Sequence, residues 1–286
     1  MDIRFWLIQT FNGISYGALL FLLGSGLSLI FGVMRIVNLS HGSYFLLGGY
    51  IALSVIWTTG SWLLAIPVAA FAVALLGLAM ERVFLRPLGF DPLRQVLLTI
   101  GFAFLFQQAA LDIWTGNNFD INPPEALTRS IVVGGLHLPL YRIFMIVTAL
   151  SIGVLLWLAM EKTRIGAAVR ATVDDAQMAR GFGIDTSRIS MFIFALGAFL
   201  AGLGGVIGGA FLGIYPGLDF EILPLAFAVV IIGGMGSLGG AAIGALAVGL
   251  ADNFGKALFP EVSYFTLYAP MALILAIKPT GLFGRE

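Results

Sequence analysis

The chain has 286 residues, of which 59% are hydrophobic and only 10% charged, and its mean hydropathy is +1.01. Soluble domains carry roughly 25% charged residues, so 15 basic and 15 acidic side chains are too few to cover a water-facing surface of this size. The zero net charge, the absence of cysteine and the two histidines exclude nucleic-acid binding, disulfide scaffolds and thiolate or multi-histidine metal sites. The sequence therefore predicts an all-α polytopic membrane protein.

Uncharged stretches longer than the roughly 20 residues that cross a bilayer as a helix occur repeatedly, for example at 5–34 and 36–80. In chain order, the predicted membrane segments are 14–33, 41–58, 63–80, 95–112, 142–160, 189–212 and 262–277. Residues 223–251 add a hairpin or a pair of short helices. The total is about eight transmembrane helices in one transmembrane domain that covers residues 1–286.

In the first segment, Gly13-Ile-Ser-Tyr-Gly17 matches the G-x-S-x-G pattern around a nucleophilic serine. An intramembrane serine hydrolase that uses Ser15 and His41 is therefore one hypothesis. The pattern lies in an apolar helical run, without the strand–turn–helix context that the motif needs. We favour helix packing through the two glycines, and we predict no catalytic residue, cofactor site or metal site.

The polar residues before the second segment form a separate group. His41 is expected to cap the entrance of the second helix at its cytoplasmic end. Asn38, Ser40 and His41 at this end, together with Ser237 in a later glycine-rich stretch, are candidate residues of a translocation pathway.

The orientation follows from the basic residues in the connecting loops. Loop 81–94 contains three arginines and loop 161–188 contains five basic residues, whereas Arg129 is the single basic residue of 113–141 and 213–221 contains none. The first two loops are therefore expected in the cytoplasm and the other two outside. This places the N-terminus outside, and the long outer connection is expected to form turns with a short strand or a surface helix.

Residues 161–188 contain 9 of the 30 charges of the chain. Within them, small and apolar residues repeat at three- and four-residue steps, which predicts one helix over about 164–180 that ends at Gly181 and Gly183. The apolar face is mostly alanine, and such a face suits docking into a protein groove more than insertion into lipid. A plain cytoplasmic loop is the alternative.

Glycines recur every four residues at Gly205, Gly209 and Gly213 and at Gly236, Gly240 and Gly244, a spacing that favours close helix packing in membranes. The run from Gly233 to Gly240 also divides 223–251 into apolar pieces of about 10 and 11–15 residues. One broken helix, two short spans or a re-entrant hairpin could result. We prefer the hairpin, which puts the C-terminus inside and the break near the middle of the membrane.

The predicted spans contain almost no ionisable residue away from their ends, and the chain has no P-loop. A carrier driven by protons usually needs such a residue, although sodium coupling through backbone carbonyls is compatible with its absence. The sequence therefore predicts a transport subunit that takes its energy from a partner. An ion-coupled secondary transporter or channel that works without an ATPase is the alternative.

Four segments resemble the H-type permease subunit of branched-chain amino-acid ABC importers. They are Gly26–Gly42 with Leu47-Gly-Gly-Tyr50, Thr163–Ala171 continued by Gly183-Ile-Asp185, Gly233-Gly-Met-Gly-Ser-Leu-Gly-Gly240, and Lys278-Pro-Thr-Gly-Leu-Phe-Gly284. The matches span nearly the whole chain in the order of the family.

The resemblance implies a non-enzymatic permease of the bacterial inner membrane. In that membrane, the orientation predicted from the loop charges and the hairpin makes the N-terminus periplasmic and the C-terminus cytoplasmic. The resemblance also implies a homologous M-type permease, two ATP-binding subunits that hydrolyse ATP, and a periplasmic protein that delivers branched-chain amino acids or related small solutes. It also identifies 161–188 as the ATPase-coupling loop, with the following candidate residues: Arg164, Gly166, Ala168, Arg170, Ala171, Asp175, Ala179 and Gly183.

Overall fold

The computed structural model describes residues 2–89, 91–278 and 280–284. The helices, in chain order, are α1 (Ile3–Met34), α2 (His41–Thr59), α3 (Trp62–Met80), α4 (Pro92–Trp114), α5 (Glu125–Thr128), α6 (Leu140–Lys162), α7 (Arg164–Asp174), α8 (Ala176–Gly181), α9 (Thr186–Leu212), α10 (Leu218–Gly233), α11 (Leu238–Leu258) and α12 (Ser263–Ile277). A π-helical turn (Glu81–Leu85) and a 3-10 turn (Arg86–Leu88) continue α3, and we name residues 81–88 the α3 extension. A further 3-10 turn, Pro260–Val262, precedes α12.

Strands β1 (Ser130–Val133) and β2 (Leu136–Pro139) form an antiparallel pair in which Ser130 lies opposite Pro139. Together with α5, this hairpin fills the long connection between α4 and α6. The prediction of turns with a short strand or a surface helix for this connection is confirmed.

Among the described residues, six helices are long and apolar enough to cross a membrane: Ile3–Met34, Trp62–Leu88, Pro92–Trp114, Leu140–Lys162, Thr186–Leu212 and Leu238–Leu258. The prediction of an all-α polytopic membrane protein is thus confirmed. Helices α2, α10 and α12 form where helical segments were predicted but are not among the six, so length and composition alone do not establish a total of about eight.

Helices α1 and α9 form the centre of the bundle. Within the apolar 18-residue stretch of each helix, 67% of α1 and 72% of α9 is buried inside the protein. The corresponding shares are 17% for α4 and 22% for α6. Because lipid supplies no hydrophobic drive between helices, this central contact depends on close packing of small residues.

Glycines make that close packing possible. A Cβ atom built on Gly26 of α1 would lie 3.1 Å from the Cα of Gly197 in α9, and one built on Gly48 of α2 would lie 2.6 Å from the Cα of Gly202. Side chains at these positions would overlap the neighbouring backbone. The predicted packing role of the glycines is confirmed here.

The first predicted series of glycines, Gly205, Gly209 and Gly213, takes part in this helix packing only in part. Gly205 faces the Phe45 carbonyl of α2 and Gly209 faces Ile214. Gly213, however, lies just beyond α9 with a φ of 77°. Its role is to end the helix in a left-handed conformation, which glycine adopts without steric cost.

Residues 223–251 turn back on themselves. Gly240 and Gly244 of α11 face Gly233 and the Val229 carbonyl of α10, respectively, so the two helices pack antiparallel. A single broken helix that crosses once is therefore wrong, and a hairpin is what forms. Both arms are longer than predicted, with 16 residues in α10 and 21 in α11.

The turn of this hairpin, residues 234–237, lies at an end of the bundle. Gly236 was predicted to pack against another helix as one of the glycines that recur every four residues. Instead it lies in this turn with a φ of 80° and faces Gly32 near the end of α1. The predicted position near the middle of the membrane is therefore wrong. The turn is fixed by the tail of the chain, because the Leu282 N–H donates to the Ile232 carbonyl and the Phe283 N–H to the Gly233 carbonyl, both at 3.0 Å.

The connections gather at two ends of the bundle. We name one end the basic face; it contains residues 35, 81–89, 163–185, 234–237 and 280–284, and its arginine-rich segments line common cavities. At the opposite end, Phe119 and Ile214 exchange backbone hydrogen bonds of 2.8 Å, and Asn253 donates to the Gln9 carbonyl at 2.8 Å. The prediction that loops 81–94 and 161–188 share one side is confirmed.

Candidate pathway and coupling sites

The connection between α1 and α2 returns into the bundle and buries three of the predicted pathway residues. Asn38, Ser40 and His41 are each 0% exposed. The Ser40 hydroxyl donates to Asn38 Oδ1 at 2.7 Å, and the Ser40 backbone N–H donates to the same oxygen at 3.2 Å. His41 was expected to cap α2; instead its Nε2 lies 3.0 Å from the Leu23 carbonyl in the interior of α1.

Neighbouring helices hold this connection in place. From α4, the Thr99 hydroxyl accepts a hydrogen bond from the Leu39 N–H at 3.2 Å. From α3, the Met80 sulfur accepts hydrogen bonds from the Ser40 and Tyr44 hydroxyls. The polar loop can be buried because several of its donors find acceptors inside the bundle.

Asp219 joins the same region from α10, and sequence reasoning missed it. We expected residues 213–221 in an outer loop, yet Asp219 is 2% exposed and its Oδ2 accepts a hydrogen bond from the Ser43 hydroxyl at 2.9 Å. A Cβ atom on Gly42 would meet the Asp219 carbonyl, so glycine permits this approach of α2 and α10. The available signal was the apolar sequence directly after Asp219, which begins a helix rather than a loop.

Four buried polar atoms of the α1–α2 connection, α2 and the start of α10 have no hydrogen-bond partner among the described residues. They are Asn38 Nδ2, His41 Nδ1, the Tyr50 hydroxyl and Asp219 Oδ1. The Tyr50 ring is fixed by stacking on Trp114 at a centroid distance of 5.0 Å. An unpartnered buried polar group costs about 1–3 kcal/mol, so a hydrogen-bond partner would stabilise each of these atoms.

We expect Ser43→Ala to lower the free energy of unfolding by about 1–3 kcal/mol, because it removes a donor to the buried Asp219 carboxylate. The measurement is thermal unfolding of the purified permease in detergent. Ser151→Ala is the matched control, since the exposed Ser151 hydroxyl bonds only to the Val147 carbonyl of its own helix among the described residues. Equal stability of the two variants would contradict the prediction.

Ser237, the fourth predicted pathway residue, lies in the hairpin turn. Its hydroxyl accepts a hydrogen bond from the Gly240 N–H at 3.0 Å and so caps α11, and its carbonyl accepts from the Ser28 hydroxyl at 3.4 Å. The structure thus gives Ser237 a capping contact on the basic face.

The serine hydrolase hypothesis is wrong. Ser15 is 0% exposed inside α1, where its hydroxyl donates to the Phe11 carbonyl at 2.7 Å. Gly13 and Gly17 pack against Leu250 and Ala245 of α11, as the packing hypothesis predicts.

Among the described residues, no group of three or more His, Cys, Asp or Glu side chains is placed to hold a metal ion.

The predicted coupling helix consists of two helices, α7 and α8, and we name residues 163–183 the coupling segment. Asp175 interrupts the helix and caps α8, because its Oδ1 accepts hydrogen bonds from the N–H groups of Gln177 and Met178. Thr163 caps α7 in the same way through the Gly166 N–H. A single helix over 164–180 is therefore wrong, and the favoured capping by aspartate explains the break.

The small-residue face of the coupling segment packs on the permease itself. Val169 is 3% exposed and belongs to a cluster with Leu29 of α1 and Ile193 of α9. Gly166 lies against the Met160 carbonyl at the end of α6, and the Arg170 guanidinium donates to that same carbonyl. The prediction that this face docks into a protein groove rather than into lipid is confirmed, and the groove belongs to the bundle of the permease itself.

The outward face of the coupling segment carries larger apolar side chains. Ile165 is 51% exposed, Met178 is 62% exposed and Phe182 is 83% exposed. The predicted coupling residues divide between the two faces: Arg164, Asp175 and Gly183 are exposed, Ala168, Arg170 and Ala171 are half-buried, and Gly166 and Ala179 are buried. The segment thus combines a fixed inner face with an apolar outer surface.

Comparison with known proteins covers almost the entire chain. Residues 9–275 match the family described as branched-chain amino acid transport system / permease component. The high-affinity branched-chain amino acid transport system permease protein LivH of Salmonella typhimurium is 30% identical, over 98% of this chain and 96% of its own. The permease protein BraD of Pseudomonas aeruginosa is also 30% identical, over 99% of this chain and 97% of its own. The autoinducer 2 import system permease protein LsrC of Escherichia coli is 28% identical over 86% of this chain and 71% of its own.

Proposed function

The chain belongs to the permease component family of branched-chain amino acid transport systems, and from this premise we propose that it forms the translocation pathway of an ATP-driven importer. The solutes are branched-chain amino acids or related small solutes, delivered by a periplasmic binding protein. The observation that carries the proposal is the family match over residues 9–275. The similarity to the branched-chain amino acid permeases LivH and BraD supports a branched-chain amino acid as the solute.

The importer in this proposal contains four kinds of subunit. Besides this chain, they are a homologous M-type permease, two ATP-binding subunits and the periplasmic binding protein. ATP hydrolysis takes place on the ATP-binding subunits, and this chain has no catalytic role. The absence of a P-loop from the sequence supports that division of work.

In this proposal the protein crosses the bacterial inner membrane an odd number of times, close to the predicted eight, with α2 and both helices of the α10–α11 hairpin among the crossing segments. The basic face lies in the cytoplasm, because positively charged loops are retained on that side. Since α1 runs from residue 3 to Arg35 at the basic face, the N-terminus is periplasmic. The tail contacts the hairpin turn on the basic face, which supports a cytoplasmic C-terminus.

The buried polar group at the start of α2 is the proposed part of this chain that meets the solute. Asn38, Ser40 and His41 line the pathway, and their position inside the bundle supports that role. Asp219 extends the group across to α10. Ser237, which is half-buried, remains part of the proposed pathway through its position in the turn at the basic face.

The coupling segment is the proposed contact with an ATP-binding subunit. Its outer side chains Ile165, Met178 and Phe182 enter a groove on that subunit, while Arg164, Asp175 and Gly183 lie beside them. The inner face passes the movement to α1, α6 and α9, since Gly166, Ala168, Arg170, Ala171 and Ala179 are on or next to that packed surface. A rigid inner contact and an apolar outer contact are what a coupling element requires.

Reconstitution tests the proposal. The chain is co-expressed with the M-type permease and the two ATP-binding subunits, purified and placed in liposomes with the binding protein and radiolabelled L-leucine. We expect uptake against a concentration gradient. This uptake should require ATP on the side of the liposome membrane that corresponds to the cytoplasm. Concentrative uptake by this chain alone, driven by a sodium or proton gradient, would contradict the proposal and favour a secondary transporter.

A further inference from the structure

A cavity of about 360 Å³ lies at the basic face, between the end of α1, the α3 extension, the start of α4 and the coupling segment with the start of α9. Ligand sites for small molecules usually occupy about 300–1,000 Å³, so the cavity is large enough for one amino acid. The walls combine apolar side chains (Val33, Met34, Leu85 and Ile184) with charged ones (Glu81, Arg86, Arg180 and Asp185).

Glu81 is an unpaired buried acid in the wall of this cavity. The residue is 2% exposed, and its Oε2 has no hydrogen-bond partner among the described residues. A buried carboxylate without a partner is costly, and most such groups in proteins are paired. Among the described residues, no cationic atom forms an ion pair with this carboxylate within 4.0 Å, so its Oε2 can still accept a hydrogen bond.

The π-helical turn places a cation next to this acid. In the turn, the Arg86 backbone N–H donates to the Glu81 carbonyl five residues earlier, so the two residues lie on adjacent turns of the helix. Such turns are rare and occur frequently at functional sites. Among the described residues, the Arg86 guanidinium makes no hydrogen bond and no ion pair within 4.0 Å, and Arg86 lines the cavity.

The other charges of the wall are already engaged. Arg180 donates through Nε to the Thr186 hydroxyl at 2.9 Å. Asp185 forms an ion pair with Arg188 at 2.9 Å. The cavity thus presents one unused anion, Glu81, and one unused cation, Arg86, beside an apolar wall.

We propose that this cavity binds a free aliphatic α-amino acid from the side of the basic face. The ammonium group pairs with Glu81, the carboxylate pairs with Arg86, and the side chain lies on the apolar wall of Val33, Met34 and Leu85. A simple anion would leave the buried Glu81 without a partner, whereas the two charged groups of a zwitterion engage both Glu81 and Arg86. The choice of an aliphatic amino acid rests on the proposed function; the charge pattern does not.

The position of the cavity gives such binding a consequence. Thr172, Ala176 and Arg180 of the coupling segment form one wall, and the α3 extension forms another. An amino acid held between them opposes relative movement of the two walls. Amino acid accumulated on this side therefore slows further ATP-driven uptake.

Binding of radiolabelled L-leucine to the complete transporter in nanodiscs, without the binding protein, tests the site. We expect binding of L-leucine, and roughly tenfold or weaker affinity for 3-methylbutylamine, which lacks the carboxylate, and for 4-methylpentanoate, which lacks the ammonium group. Glu81→Gln and Arg86→Gln are each expected to weaken L-leucine binding by roughly tenfold or more. Arg94→Gln is the control, because Arg94 is exposed on the same face, pairs with Asp91 and does not line the cavity.

Arg86 is exposed, so Arg86→Gln tests the site even if Glu81→Gln does not fold. Unchanged affinity in Arg86→Gln, or equal affinity for L-leucine and 3-methylbutylamine, would overturn the inference. Uptake is measured on the same preparation with ATP and the binding protein. Normal uptake without any L-leucine binding would overturn the cavity site alone, whereas absent uptake by the unmodified transporter would count against the proposed function.

Discussion

Phe182→Asp is expected to abolish ATP-driven uptake while leaving the permease folded. The side chain is 83% exposed at the end of the coupling segment, so the bundle loses little packing when it is replaced. Buried aromatic anchors at protein interfaces commonly contribute about 2 kcal/mol or more to binding, and a buried aspartate adds a desolvation cost. We therefore expect the affinity for the ATP-binding subunits to fall by roughly thirtyfold or more.

The measurements for this variant are co-purification with the ATP-binding subunits and uptake by the reconstituted transporter. Val132→Asp is the matched control, because Val132 is also exposed, at 59%, but lies in the β-hairpin away from the basic face. The control is expected to retain uptake. If Phe182→Asp retains normal uptake and normal co-purification, the outer face of the coupling segment is not the docking surface.

Gly48→Val is expected to prevent formation of the folded permease. A Cβ atom at this position would lie 2.6 Å from the Cα of Gly202, and backbone cannot move aside as a flexible side chain can. Overpacking of a well-packed core costs about 1–3 kcal/mol, and a clash of a side chain with the backbone of another helix belongs at or above the upper end of that range. The contact lies between α2, which carries part of the buried polar group, and the central helix α9, so its loss displaces α2 from the centre of the bundle.

The yield of monodisperse permease and its thermal unfolding in detergent measure this effect. Gly101→Val provides the control, because Gly101 lies within α4 and a Cβ atom there would meet nothing within 4 Å. The two variants make the same chemical change in a helix and differ in the space available. A Gly48→Val protein that is as stable as the Gly101→Val protein would disprove the packing argument.

The sequence allowed most helices to be located, because long apolar runs leave the backbone few alternatives in a membrane. Segment 189–212 corresponds to α9, which begins at Thr186 and ends at Leu212, and segment 262–277 corresponds to α12. The glycine spacing also indicated where helices approach one another. These features depend on local composition, which a single sequence contains.

Features that depend on tertiary contact could not be predicted in the same way. Asp219 and Glu81 were placed in loops because of their charge, yet both are 2% exposed inside the protein. The alanine-rich face of the coupling segment was correctly identified as a packing surface, but composition does not distinguish a partner from the protein's own helices. The break at Asp175 was missed because a periodic pattern continued across a residue that can also cap a helix.

The link between the tail and α10 has a consequence for biosynthesis. The last carbonyls of a helix lack partners within it, and those of Ile232 and Gly233 obtain theirs from the N–H groups of Leu282 and Phe283. These bonds cannot form until the ribosome has added residues 282 and 283. The end of α10 therefore stays incomplete while α11 and α12 are synthesised, and the hairpin is completed only after residues 282 and 283 have been added.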